Sequence, residues 1–486
     1  MRALTLEVPA GPEPRYRRIA AALRDALVRG LARPGERLPS TRELAETLGV
    51  HRNTVIAALD ELESEGWIGG EQRKAYRVAA ELPVAYFRPG GAAARARPRE
   101  ARPHAWRWAR APRLDPFAPP GRVRFNFQSG VPDFSLFPLR ELRSHYGDAL
   151  RRPRAAILDY GDPRGLPALV EALEDYLRRV RGLTGRRVIV TNGSQEGVFL
   201  AAQVLVGAGD VVAVEELTYP PACEAYRAAG ARVLPLPMED DGLDVDAFEK
   251  LARRHRIRLL FLTPLHQFPT TATLPVAKRL RLYEVASRHD IAIFEDDYDH
   301  EFHYRAAPLP PLASYDPDQR VIYASTLSKV LFPSARIGFL VVPAPLEERL
   351  VHFRRIATHH NDSVTQDAIA RWFASGGLER HLRRMRRHYQ ARRDALVGAL
   401  ERTRAQTGWT WRVPDGGMAL WLDTRADAAA LARAATRAGI FVAHEGSYRV
   451  GPGPARHLRL GFSALAPEEL AAGAAALARA AGGSRR

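Results

Sequence analysis

Lysine is scarce in this chain: Lys74, Lys250, Lys278 and Lys329 are the whole set among 486 residues. A lysine amine can hold an aldehyde cofactor as a Schiff base, so each lysine is a place where such chemistry could sit. Lys250 and Lys278 fall on polar faces of helical patterns, and Lys74 falls in a short strand-turn-strand segment. Lys329 differs. It ends the strand-like run IYASTLSK among small hydroxylated residues. Arg336, seven residues later, carries a planar fork able to anchor a phosphate bidentately.

Ser-Lys followed by Arg would by itself also describe a surface ion-pairing lysine. Other segments give it meaning. FEDDYDHEF (294–302) places carboxylates and a tyrosine at the end of a strand pattern, where an α/β sheet binds its ligands. A buried aspartate there can keep a pyridine nitrogen protonated and make the ring an electron sink; Asp296 and Asp297 both qualify. VTNGSQEG (190–197) is a strand–glycine–helix junction whose backbone N–H groups suit a phosphate. Tyr219, in ELTYPPA, can lie over an aromatic ring.

From residue 125 onward, apolar strand-like runs alternate with helical segments: VIVTNG, VVAV, ARVLPLPM, IRLLFLTP and IAIFEDDYD are separated by helix-like stretches. That alternation predicts an α/β domain with a mainly parallel sheet covered on both faces. A long helical pattern at roughly 363–402, strand-like MALWLD (418–423) and HLRLGFS (457–463), and a terminal Ala-rich helix predict a smaller α+β subdomain.

The N-terminal part has another plan. Ile19, Leu23 and Leu27 share one helical face. Ser40 with Glu43 reads as a capping box, and Gly49 stands where a helix C-terminal glycine belongs. TVIAALDELESEG follows, with Val55, Leu59 and Leu62 as its buried stripe. Two helices joined by a tight turn after a first helix predict a helix-turn-helix. Its second helix opens with Arg52, Asn53 and Thr54, donors and acceptors suited to phosphates and base edges. WIGGEQRKAYRVA then reads as a two-stranded wing. The expected domains are 1–79, a winged helix-turn-helix; 80–124, a linker rich in Pro, Gly, Ala and Arg; and 125–486, the α/β domain.

Residues 12–79 resemble the GntR family of winged-helix regulators, on the string LPSTRELAETLGVHRNTV above all. The resemblance implies that Arg42 contacts the DNA backbone and that Arg52, Asn53 and Thr54 read the operator. There are two departures: His51 replaces the usual serine at the recognition-helix start, and Arg73 and Lys74 stand where the wing normally has a glycine. A cationic wing suits phosphate.

Residues 125–480 resemble fold-type I aminotransferases, and specifically the pyridoxal-phosphate domain of MocR regulators. YGDPRGLPALVEAL, TNGSQ, TPLHQFPT, FEDDYDHEF, STLSK and LRLGFS carry the likeness in order. It implies pyridoxal 5'-phosphate on Lys329, with Asp296 at the pyridine nitrogen, Tyr298 at the phenolic oxygen and Tyr219 stacked on the ring. The same resemblance favours Asp296 over Asp297. It puts Ser194, Gln195, Thr326 and Arg336 on the phosphate, Tyr160 on the partner subunit's phosphate, Gln267 near the ring and Arg459 on the carboxylate of an amino acid. Thr271 and Ser325 stand where the family commonly has glycine, changes expected to alter loop flexibility beside the ring.

Lys+Arg 72 against Asp+Glu 55 gives a net charge of +17, which suits a polyanion partner and also suits a genome that favours arginine codons. A lone cysteine, Cys223, excludes an internal disulfide and a cysteine-based zinc site. The N-terminus lacks the apolar core of a signal peptide, and no run is long enough to span a membrane. The sequence thus predicts a cytoplasmic, homodimeric DNA-binding regulator that senses pyridoxal phosphate or a small amine or amino-acid effector. The alternative is an active aminotransferase with an appended DNA-binding module.

Overall fold

In the computed structural model the described residues are 6, 8–71, 75–83, 121–128, 130–151, 155–304 and 308–483. They belong to two compact units, residues 1–109 and 110–486. Most of the linker, Trp106 and Trp108 included, lies outside the described residues.

The first unit is a three-helix core with a hairpin. α1 (Arg15–Val28) buries Ile19, Leu23 and Leu27. α2 (Thr41–Leu48) opens on the expected capping box and stops at Gly49 in the left-handed region. α3 (Arg52–Ser64) buries Val55, Leu59 and Leu62 against the same core. The His51 ring Nδ1 accepts the Asn53 N–H at 3.3 Å, so the histidine caps the helix as a serine would. β1 (Ile68–Glu71) and β2 (Ala75–Val78) pair antiparallel, and the turn carrying Arg73 and Lys74 lies outside the described residues.

The second unit is built on a seven-stranded sheet. Its strands are β3 (Arg187–Thr191), β4 (Val211–Glu215), β5 (Arg232–Leu236), β6 (Ile257–Leu262), β7 (Ala292–Asp297), β8 (Val321–Thr326) and β9 (Gly338–Val342). Across the sheet they run β3-β9-β8-β7-β6-β4-β5. All neighbours are parallel except β9, which is antiparallel to both β8 and β3. Side chains alternate between two cores: in β7, Ile293 faces one and Phe294 the other.

This topology gathers the site. The parallel strands bring Thr191, Thr263, Asp296 and Thr326 to one edge. β9 runs the other way, so Arg336, just before it, reaches that edge too. Gly193, at the N-terminus of α4 (Ser194–Leu205), has φ 81°, a conformation that favours glycine. Tyr219 precedes α5 (Pro220–Ala228) at the end of the β4 connection.

The smaller subdomain holds an antiparallel sheet of β10 (Thr410–Trp411), β11 (Ala419–Asp423), β12 (Ala443–His444) and β13 (His457–Gly461), ordered β10-β11-β13-β12. Arg459 sits in β13. The helical pattern expected to run through 363–402 is two helices, α6 (Ser363–Ala374) and α7 (Gly377–Thr407). The break falls at Gly376, whose φ of 69° closes one helix and caps the next. α8 (Pro467–Gly483) is the terminal Ala-rich helix. Among the described residues no helix is long and apolar enough to cross a membrane.

Candidate functional site

A cavity of about 200 Å³ opens at the edge where those strand ends meet. Ser194, Gln195, Tyr219, Asp296, Tyr298, Thr326, Lys329, Arg336 and Arg459 all line it. Residues spread from Ser194 to Arg459 therefore share one small space: most flank the strand ends of the seven-stranded sheet, and Arg459 comes from β13 of the smaller subdomain.

Lys329 is half-buried, and its Nζ donates to the Gly130 carbonyl at 2.9 Å. Burial pushes its amine below the usual lysine range; Arg459 and Arg336 add to this, and Asp299 and Asp296 oppose it. Such an amine gives up its proton more readily, as a nucleophilic lysine must.

Strand alternation sends the two aspartates of FEDDY to opposite faces. Asp296 lies on the cavity side, where its Oδ1 is buried without a protein hydrogen-bond partner. Burial, with Asp297 and Asp299 close by, pushes its carboxyl up to about 7. Asp297 points to the opposite face, where it accepts from Tyr323 Oη at 2.6 Å and meets His300 Nδ1 at 2.8 Å. Although burial works against it, His300 and Arg181 hold that carboxyl well below the usual range. Arg181 in turn bonds Tyr323 and Glu301, so Asp297 belongs to a closed ionic network.

The helix junction leaves its N-terminus open to the cavity. Gly193 supplies no side-chain cap to α4, so the first N–H groups of that helix face the cavity mouth beside Ser194 and Gln195. Arg336 turns over the same loop, its Nη2 bonding the Asn192 carbonyl. Thr326 Oγ1 donates within the Thr326–Ile337 corner and accepts the Ser328 N–H at 3.0 Å.

The opposite wall is aromatic and cationic. Phe268 stands edge-on to Tyr219 and Tyr298, with ring centres 5.6 and 5.8 Å away. Burial pushes the Tyr219 hydroxyl up to about 12 and raises that of Tyr298 further. Arg459 is buried, donates to the Pro269 carbonyl and lies 3.4 Å from Tyr298 Oη.

Gln267 and Tyr160 stand elsewhere. The Gln267 amide is spent on its own loop and its neighbour, donating to Leu217 and Phe268 carbonyls and accepting from Thr270. Tyr160 is 80% exposed and packs on His359 and His360. Ser325 is not a loop residue. It is a buried member of β8, and its hydroxyl donates to the Asp297 carbonyl at 2.6 Å. Thr271 does sit in a loop, at φ 63°. Sequence reasoning missed Gly130, Thr263, Phe268 and Ser328. Thr263 and Phe268 stand inside TPLHQFPT and Ser328 inside STLSK, whereas Gly130 gives no chemical signal.

In the first unit Arg42, Arg52 and Asn53 are exposed and Thr54 is half-exposed. Arg52 Nε donates to Thr41 Oγ1 at 3.0 Å, tying the start of α3 to the start of α2.

A lysine poised to shed its proton, an orphaned buried carboxyl, an uncapped helix N-terminus with an arginine and a flanking tyrosine pair together match an aldehyde, a ring nitrogen, a phosphate and a flat aromatic ring. Residues 125–477 match the family model for aminotransferase class I and II, and residues 15–78 match that for bacterial regulatory proteins of the gntR family. The probable rhizopine catabolism regulatory protein MocR of Rhizobium meliloti is 35% identical, covering 80% of this chain and 78% of its own. The HTH-type transcriptional regulator TauR of Rhodobacter capsulatus is 31% identical over 97% of both chains. Among solved structures, Pyrococcus horikoshii kynurenine aminotransferase superposes with a TM-score of 0.71 at 25% identity, covering 76% of this chain and 92% of that one. Thermus thermophilus LysN, an α-aminoadipate aminotransferase solved with N-(5'-phosphopyridoxyl)-L-leucine, gives 0.68 at 29%, covering 74% and 92%.

The fold is that of a fold-type I aminotransferase domain, whose cofactor is pyridoxal phosphate. With its gntR-type helix-turn-helix, the chain belongs to the MocR family of GntR-type transcription regulators, and it binds DNA. Relatives that span both parts are regulators, which favours regulation over an enzyme with an appended module.

Proposed function

We propose that the chain reads a small amine or amino acid at the Lys329 cavity and changes its hold on operator DNA in response. The observation that carries this is the cavity itself, which gathers a lysine of lowered pKa, the buried Asp296 carboxyl and a buried cation, Arg459. When bound, pyridoxal phosphate supplies an aldehyde that takes up primary amines.

This chain's residues then divide the work. Lys329 would hold the cofactor through its amine, which burial keeps ready to give up its proton. Asp296 holds a proton at the ring nitrogen. Tyr298 donates to the ring oxygen, and Tyr219 covers one ring face. Ser194, Gln195, Thr326 and Arg336 take the phosphate. Arg459 takes an effector carboxylate in place of the Pro269 carbonyl it now bonds. Arg42, Arg52, Asn53 and Thr54 meet the operator. The working form is a cytoplasmic homodimer, which the exposed Leu158 (65%), Tyr160 and Ile356 (71%) support as apolar surface for a second copy.

The test mixes purified protein with DNA from upstream of its own gene, with and without pyridoxal phosphate and a panel of amines and amino acids. A shift in affinity or footprint that requires both cofactor and one amine supports the reading. Binding indifferent to every combination refutes it.

A further inference from the structure

Phe268 makes three edge-on contacts, to Tyr219, Tyr298 and Tyr448, with ring centres 5.6, 5.8 and 5.2 Å away and interplanar angles of 84°, 85° and 88°. The Arg459 guanidinium lies over its face, 4.5 Å from the ring centre. The next residue, Pro269, accepts a hydrogen bond from Arg459 Nη1. The loop below is pinned: the Phe268 N–H donates to Thr263 Oγ1 at 2.8 Å, and the Gln267 amide holds the Leu217 and Phe268 carbonyls. One ring therefore touches the arginine on the effector side and both tyrosines on the cofactor side.

We propose that Phe268 is a positioning residue that couples the two sides, holding Arg459 flat for an effector carboxylate while setting the tilt of Tyr219 and Tyr298 against the cofactor ring. The inference rests on the reading of Arg459 as the carboxylate clamp. A cation over an aromatic face within about 6 Å is attracted to the ring's negative quadrupole, most strongly in a desolvated site. Edge-on aromatic neighbours likewise have a preferred geometry that an aliphatic side chain does not impose. Leucine at 268 keeps apolar bulk but supplies neither a face for Arg459 nor edges for the tyrosines. Carboxylate-bearing ligands should therefore lose more than amines, and the cofactor should lose orientation more than affinity.

The experiment uses pyridoxal-phosphate-loaded full-length protein as wild type, Phe268→Leu and Phe268→Tyr. The visible absorbance and visible circular dichroism of the bound cofactor are recorded, and then titrated with L-alanine and with ethylamine, its counterpart without the carboxylate. In Phe268→Leu the absorbance should be retained while the dichroism per bound cofactor falls by half or more. The L-alanine affinity should fall about tenfold, with ethylamine changed less than twofold. Phe268→Tyr should restore both. Unchanged dichroism in Phe268→Leu overturns the proposal, as does an equal loss for alanine and ethylamine. If alanine leaves the wild-type spectrum untouched, other amino acids are titrated in its place. Failure of all of them refutes the effector reading, and the dichroism arm still decides the role of Phe268.

Discussion

Asp296 and Asp297 are adjacent in one strand, yet their carboxyls are driven in opposite directions, the first up to about 7 and the second well below its ordinary range. The pleat sends Asp296 into the cavity and Asp297 to Tyr323 and His300 on the other face. A one-residue slip of β7 would exchange their roles. The register Asp296↔Ala324 with β8 is what prevents it.

A pH prediction follows from Asp296. A carboxyl whose native pKa is raised keeps a proton that the unfolded chain has already lost. Its contribution to stability is therefore present at low pH and is lost as pH rises from about 4 to about 7. Glu215 and Glu295, also pushed up to about 7 by burial, act with the same sign and remain in the variant. Cofactor-free Asp296→Asn should therefore lose less stability than wild type between pH 5 and pH 8, by up to about 3 kcal/mol. Thermal unfolding at the two pH values measures the difference. The same variant, loaded, should bind pyridoxal phosphate more weakly at pH 8.

Lys329→Ala should bind pyridoxal phosphate without a covalent tether. After borohydride reduction and denaturation, mass spectrometry should find the cofactor on wild-type protein and none on the variant. Cofactor retained on Lys329→Ala would move the tether to Lys74, Lys250 or Lys278, the other lysines of the chain.

Arg459→Ala should leave pyridoxal phosphate bound and weaken amino-acid effectors about ten- to a hundredfold, since a hydrogen bond to a charged group is worth roughly 1.5–3 kcal/mol. Amines without a carboxylate should not feel the change. Titration of the visible spectrum distinguishes the two, and coincident curves for every carboxylate-bearing ligand would leave Arg459 as a support for the Pro269 turn.

Arg52→Ala should cost about 1–3 kcal/mol of operator affinity and relax sequence choice if the guanidinium reads a base edge. Because Arg52 also bonds Thr41, Thr41→Val serves as the control for lost helix anchoring. Gel-shift titrations at two salt concentrations, on operator and unrelated DNA, separate a base contact from a phosphate contact, which would weaken both DNAs equally.

Much of this was legible in the chain because it depends on local rules. The capping box of Ser40 and Glu43, the buried stripe of Val55, Leu59 and Leu62, the alternation of apolar strands with helices, and the singular setting of Lys329 are all matters of spacing and residue type. Tertiary structure decided what spacing cannot carry. Which aspartate of FEDDY faces the cavity depends on strand register. That Arg336 reaches the same edge as Lys329 depends on β9 running against its neighbours. Gly130 meets Lys329 across 199 positions, and Phe268 meets Arg459 across 191, only because the smaller subdomain's β13 packs against the strand ends of the large sheet. Those partners lie far apart in sequence, and the folding of one sheet with its subdomain is what turns them into neighbours.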